Sequence, residues 1–246
     1  MVLFLFLCLA AQTQAAPHSG YADASAPVRA MQDDDTANPG FLWVQQGEGI
    51  WSDAGVPTGH SCASCHGVAT GMRGVSARYP EYDAKLGHPL TLEQRIEQCR
   101  TERQGAAPFA QESDELLAIT AFVGAQSRGM PVTVDASGPA GPFFDRGREL
   151  FTTRMGLLNL SCAECHDGLA GHHLAGATIP QGQPNGYPLY RLEWQSLGSL
   201  VRRIRNCLTG VRAEPFADDS TDLVALQFYL GTRADGLKVE TPAVRP

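Results

Sequence analysis

Apolar positions along the chain repeat with a helical period in two places. Leu116, Leu117, Ile119, Phe122 and Val123 fall on one helical face, with Ser113 as an N-cap and Asp114 and Glu115 in the first turn. Leu223, Val224, Leu226, Tyr229 and Leu230 repeat that face after Ser220. The surrounding segments, "APFAQESDELLAITAFVGAQSRGMPV" and "EPFADDSTDLVALQFYLGTRADGLKV", align at a constant offset of 107, and similarity of that extent marks an internal duplication. Gly/Pro-rich stretches such as "IPQGQPNGYP" carry neither helical nor strand period and read as loops, while "DASGPAGP" at 135–142 reads as a linker. The pattern predicts a mainly α fold with two tandem domains, 40–133 and 143–234, joined by a linker at 134–142. An N-terminal extension at 17–39 and a C-terminal tail at 235–246 flank them.

The first residues, "MVLFLFLCLAAQTQAA", break this pattern. An apolar run of about nine residues is followed by the small-x-small sequence Thr13-Gln14-Ala15, which predicts a secretory signal peptide at 1–16 cleaved near Ala15 or Ala16. The run is too short to cross a bilayer, so no stable membrane span is expected. Cys8 follows Leu7, without the small residue that precedes a lipidated cysteine. The n-region lacks Lys and Arg, which bears on the start site and not on the chemistry.

Composition adds two limits. A hydrophobic fraction of 43% against 18% charged residues is that of a chain with a core, not a disordered one. A net charge of −7 without any Lys/Arg tract argues against nucleic acid as a partner.

Two motifs, "CASCH" (Cys62, Cys65, His66) and "CAECH" (Cys162, Cys165, His166), lie 100 residues apart. Cys-x-x-Cys-His is a specific signal for covalent haem c, the two thiols forming thioethers and the histidine ligating iron. A redox disulfide or half a zinc site fits less well, because both copies keep the histidine and both lie in an exported chain. Two haem c groups are therefore expected, in cytochrome c-like domains with extended loops around them. Upstream, "GEGIW" and "GRELF" read as glycine-rich helical starts. Downstream, "LEQRIEQC" ends at Cys99 and "LVRRIRNC" at Cys207, each with an arginine four residues earlier, Arg95 and Arg203.

The distal iron ligands follow in part by elimination. No methionine lies after Cys165, which leaves the second haem Cys207, His172 or His173, a lysine, or no ligand. Met72 and Met130 are open to the first haem, although the repeat counterpart of Met130 is Leu237. Cys99 and Cys207 are equivalent positions, and a disulfide between them would join separate domains. His/Cys ligation of both haems, His66 with Cys99 and His166 with Cys207, is the preferred reading. A thiolate ligand favours ferric iron and lowers the potential relative to methionine. His60, His88, His172 and His173 read as loop or propionate-contacting residues. Around Cys207 stand Arg202, Arg203, Arg205 and Arg212, with Glu193 and Glu214 as possible partners for some. Around Cys99, Glu93, Glu97 and Glu102 offset Arg95, Arg100 and Arg103. A positive field at one sulfur of an acidic protein suits a small anionic substrate.

"GYPLYRLEWQSLGSLVRRIRNCLTGVRAEPF" and the terminal "KVETPAVRP" resemble SoxA, the dihaem subunit of the SoxAX cytochrome of sulfur oxidation, and the match extends over nearly all of the mature chain. The resemblance implies that Cys207 bears a persulfide and is the catalytic sulfur, and that Arg203 contacts substrate. It implies an L-cysteine S-thiosulfotransferase of the periplasm, which joins thiosulfate oxidatively to a cysteine of the carrier SoxYZ. Electrons would leave through a SoxX subunit, bound as a heterodimer, to an acceptor cytochrome c. The rivals are a dihaem thiosulfate dehydrogenase forming tetrathionate, a dihaem peroxidase, and a non-enzymatic electron-transfer protein.

Overall fold

The structure, a computed structural model, describes residues 16–246. The signal segment, with Cys8, lies outside the described residues apart from Ala16. Among them, α1 (Ala26–Asp33) precedes the first unit: α2 (Phe41–Ser52), α3 (Cys62–His66), a hairpin of β1 (Glu81–Asp83) and β2 (His88–Leu90), α4 (Leu92–Glu102) and α5 (Asp114–Ala125). The second unit repeats the order with α6 (Gly141–Thr152), a single π turn at Glu164–Gly168, β3 (His173–Leu174), β4 (Ala177–Thr178), β5 (Leu189–Arg191), β6 (Ser196–Gly198), α7 (Leu200–Gly210) and α8 (Thr221–Arg233). A last strand, β7 (Ala243–Arg245), closes the chain.

Hydroxyl caps fix where the key helices begin. Ser61 accepts from Ser64 N and starts α3 at Cys62. Thr91 and Gln94 form a capping box on α4, and Ser199 accepts from Arg202 N on α7. Cys99 and Cys207 therefore stand at the same position of equivalent helices. Ser113 caps α5 as its pattern predicts, whereas Ser220 makes no side-chain cap to α8.

In each unit two long helices cross at a glycine. A Cβ on Gly47 of α2 would lie 2.2 Å from the Ala118 carbonyl oxygen of α5, and one on Gly147 of α6 would lie 2.1 Å from that of Ala225 on α8. "GEGIW" and "GRELF" are thus the closing turns of α2 and α6, not helical starts, and their leading glycines are crossing points. Their aromatics close the cores. Trp51 packs with Leu92, Ile119, Phe122 and Val123. Phe151 packs with Leu150, Ile204, Leu208 and Leu223.

The hairpins were hidden in what the sequence presents as loops. β1 and β2 pair with Asp83 opposite His88, and β5 and β6 pair with Arg191 opposite Ser196. The flanking segments are tied to the second hairpin. β7 runs parallel to β5, with Arg191 opposite Arg245, and gives a sheet of order β6-β5-β7. Val28 of α1 packs on Val244, Gln32 Oε1 accepts from Val244 N at 3.0 Å, and Asn38 Nδ2 donates to the Pro242 carbonyl at 2.9 Å. Extension and tail together brace β5 from outside. No helix among the described residues is long and apolar enough to cross a membrane.

Candidate functional site

The six described cysteines are free thiols, so the structure pairs neither Cys62 with Cys65, nor Cys162 with Cys165, nor Cys99 with Cys207. Each distal cysteine faces the motif of its own unit. Burial pushes the Cys62 thiol up, and the charge of Cys99 adds to the effect. Burial also raises Cys99, against the pull of Arg95 and Arg103. In the second unit burial and then the charge of Cys207 push Cys162 up to about 11, and the same two causes raise Cys165.

The histidines are held differently. His66 lies with its ring centroid 5.8 Å from that of Trp51, whose Nε1 donates to the Gly67 carbonyl at 3.3 Å. His166 is fixed by a polar contact, its Nδ1 lying 2.8 Å from the Pro180 carbonyl oxygen. A carbonyl can only accept, so Nδ1 carries the proton and Nε2 is left with its lone pair. Burial and then the neighbouring Arg203 and Arg233 hold the imidazole below its usual pKa and favour the neutral ligand form. The loop after Pro180 closes on this ring: a Cβ on Gly182, at φ +73°, would lie 3.0 Å from the His166 ring.

These donors fit haem c and not a bare ion. Among the described residues no three His, Cys, Asp or Glu side chains gather closely enough to hold a metal ion. Thiols one helical turn apart, a histidine with a free ring nitrogen and a distal sulfur facing the same motif suit a ligand wider than an ion.

The arginines are sorted by their partners. Arg202 stacks on Trp194 at 4.2 Å and donates to Ser196 Oγ at 3.2 Å. Arg205 is paired with Asp218. Arg212 sits exposed at a turn with φ +59°. Arg203, half-buried, has no ion pair and no side-chain hydrogen bond among the described residues, and its charge reaches His166 and Tyr187. Of the expected four, Arg202 and Arg205 are engaged elsewhere and Arg212 lies exposed beyond the end of α7, which leaves Arg203 as the half-buried guanidinium of the helix without a partner among the described residues. Glu193 pairs with Arg191 at 3.0 Å, not with an arginine of α7.

In the first unit Arg95 finds a counter-ion outside the expected glutamates, while Glu97 still feels the charge of Arg100 and Glu102 still opposes Arg95 and Arg103 at Cys99. Arg95 donates to Tyr79 Oη at 3.2 Å, to Gln98 Oε1 at 2.5 Å and to Asp83 Oδ2 at 2.5 Å. The Arg95 bond first, and then the Leu86 and Lys85 backbone N–H groups that donate to Oδ1, hold the Asp83 carboxyl down at about 2. Glu97 instead accepts from Phe109 N at 3.1 Å, and Glu102 from Gln98 at 3.2 Å. Sequence reasoning missed Tyr79, Asp83, Tyr187 and Arg191. The signal was present as "YPEYD" at 79–83 and "YPLYR" at 187–191, outside the segments that carried the duplication. Burial pushes the Tyr187 phenol up to about 12, so it stays neutral beside Arg203, Arg191 and Cys207.

The remaining candidates stand apart. His60, His172 and His173 are exposed, and His88 Nδ1 lies 2.9 Å from the Pro89 carbonyl oxygen. Met72 packs in the same cluster as Cys62, and Met130 lies beside Gly74.

Comparison with known proteins places this geometry. The family model described as SoxA/TsdA, cytochrome c domain, matches twice, at residues 46–132 and 146–239. The L-cysteine S-thiosulfotransferase subunit SoxA of Pseudaminobacter salicylatoxidans is 41% identical over 92% of this chain and 80% of its own length. That of Rhodovulum sulfidophilum is 40% identical over 92% of this chain and 79% of its own. The crystal structure of SoxXA from P. pantotrophus superposes with a TM-score of 0.90 at 36% identity, over 93% of this chain and 87% of the matched one.

Proposed function

Because the chain belongs to the SoxA/TsdA cytochrome c family, we propose that it acts as an L-cysteine S-thiosulfotransferase, coupling thiosulfate to a cysteine of the carrier protein SoxYZ. The observation that carries this reading is the guanidinium of Arg203, without a partner among the described residues and one helical turn before Cys207.

Cys62 and Cys65 with His66, and Cys162 and Cys165 with His166, would each hold one covalent haem c. Cys99 and Cys207 would stand as distal ligands. When bound, the second haem supplies electron acceptance next to the Cys207 sulfur and tunes that sulfur through the iron.

The rest is work for the chain's own residues. Arg203 draws in the dianion and fixes its sulfonate end by charge-assisted hydrogen bonds. The terminal sulfur on Cys207, carried as a persulfide, forms a sulfur-sulfur bond with the sulfane sulfur of thiosulfate, and two electrons leave. The carrier thiolate then attacks that sulfane sulfur, the new bond breaks, and Cys207 regains its sulfur. Overall, thiosulfate and a carrier thiol give a carrier S-thiosulfonate, one proton and two electrons. A SoxX subunit, held as in the SoxXA neighbour, would pass the electrons to an acceptor cytochrome c in the periplasm.

Product analysis with and without carrier tests the proposal. Carrier-bound thiosulfonate formed only when carrier is present supports it. Tetrathionate formed without carrier would make the protein a thiosulfate dehydrogenase. Electron transfer with no sulfur product would make it a relay.

A further inference from the structure

The two units carry the same device with one charge reversed. In each, a Tyr-Pro pair leads into a hairpin, the hairpin leads to a hydroxyl-capped helix, and that helix bears an arginine one turn before the distal cysteine. Asp83 ends the first strand of one hairpin and Arg191 ends that of the other, in equivalent register. In the first unit the acid lies 2.5 Å from the arginine of the helix, Arg95. In the second an arginine stands in the acid's place, and the helix arginine, Arg203, is left without a counter-ion among the described residues.

Arg191 is not a loose surface side chain. It is 14% exposed, its Nε donates to the Pro246 main-chain oxygen at 2.9 Å, and its guanidinium lies 5.1 Å from the Trp194 ring centroid. Its one carboxylate partner among the described residues, Glu193, is 66% exposed, and an exposed carboxylate screens weakly. Arg245, opposite it on β7, is neutralised by Glu240. Burial and then the charge of Arg203 lower its pKa, in agreement with two cations held near each other. Such a pair costs free energy in the empty protein and is relieved by an anion between the two.

We propose that Arg191 is a second substrate-binding residue, which with Arg203 forms a two-guanidinium clamp on the sulfonate end of thiosulfate. Two planar forks match the three oxygens of a sulfonate better than one. The clamp leaves the sulfane sulfur directed toward Cys207. This inference rests on the assignment of Cys207 as the reacting sulfur.

The test uses the haem-loaded SoxAX complex with SoxYZ, comparing Arg191→Gln, Arg191→Lys, Arg191→Asp and, as reference, Arg203→Ala. Thiosulfate KM and kcat are read in the carrier-dependent assay, and thiosulfate affinity without carrier by titration calorimetry. Arg191→Gln keeps a donor for Pro246 but loses the charge. It should weaken both affinity and KM by roughly tenfold, as for one charge-assisted bond, with kcat within about twofold. Arg191→Lys, which keeps the charge but lacks the planar fork, should recover only part of that loss, and Arg191→Asp, which restores the pairing of the first unit, should weaken binding by roughly a hundredfold. Should Arg191→Asp fail to load haem, Arg191→Gln decides alone. Wild-type affinity in Arg191→Gln with weakened binding in Arg203→Ala would overturn the clamp and leave the coupling function standing. Wild-type affinity in Arg203→Ala as well would remove both arginines from substrate binding, whereas failure of the wild-type complex to form carrier-bound thiosulfonate would overturn the coupling reading itself.

Discussion

Two glycines of one helix should respond to the same substitution with opposite sign. In α2, Gly47 is buried and Gly49 exposed. A Cβ on Gly47 would lie 2.2 Å from the Ala118 carbonyl oxygen and 2.6 Å from the Phe122 Cβ, contacts that real side chains do not make, whereas one on Gly49 would meet nothing within 4 Å. Replacing either glycine by alanine gains about 1 kcal/mol of helix propensity. At Gly49 that gain stands alone. At Gly47 the obstacle is backbone of α5 and cannot rotate away, so the helices must part by about 1 Å to restore normal contact. Overpacking typically costs ~1–3 kcal/mol, and a clash with backbone falls at the upper end. Gly47→Ala should therefore be net destabilised by about 2 kcal/mol and Gly49→Ala stabilised by about 0.5–1 kcal/mol. In a chain of this size that separates their melting temperatures by roughly 5–12 °C. Circular dichroism melts of haem-loaded protein at matched haem content read the difference. Equal melting of the two variants would refute the crossing geometry, and with it the reason for the equivalent Gly147.

Three further predictions come from the site. Ferric spectra should give low-spin His/thiolate signals for both haems, and a methionine-to-iron charge-transfer band would remove Cys99 from the first. Arg203→Ala should keep its haem and lose roughly ten- to a hundredfold in turnover, the worth of a charge-assisted bond of ~1.5–3 kcal/mol, and Arg203→Lys should recover part of it. Unaltered kinetics in Arg203→Ala would assign that residue to structure. Asp83 titrates at about 2 in the folded chain against an ordinary 3.8, so its stabilising contribution is full above about pH 4 and fades as pH falls toward 2. The stability difference between wild type and Asp83→Asn should shrink over that window in chemical denaturation, and a difference independent of pH would assign Asp83 no role in the Arg95 pairing.

The long helices were legible because their apolar faces run for three turns and begin at recognisable caps, as Ser113 before α5 illustrates. The haem motifs were legible because Cys-x-x-Cys-His has little other use. The short hairpins were not, because three-residue strands such as β1 and β5 are too short to display alternation. Arg202, Arg203 and Arg205 look alike in sequence, and only the packing of α7 sends one to Trp194, one to Asp218 and leaves one without a partner among the described residues. The counter-ion of Arg95 was hidden for a related reason. Glu97 and Glu102 are near in sequence but bond elsewhere, while Asp83 arrives from a hairpin whose register no local pattern reveals.

The central claim is that Cys207 is the reacting sulfur and Cys99 only a ligand. It is tested most directly by comparing Cys99→Met and Cys207→Met in one carrier-dependent thiosulfate assay, with haem content measured on the same samples. A thioether can ligate iron but cannot carry a transferable sulfur. Cys99→Met should therefore keep much of the coupling while its haem potential rises, and Cys207→Met should keep its haem and lose coupling altogether. Equal loss in both variants at full haem loading, or coupling that persists in Cys207→Met, would contradict the account.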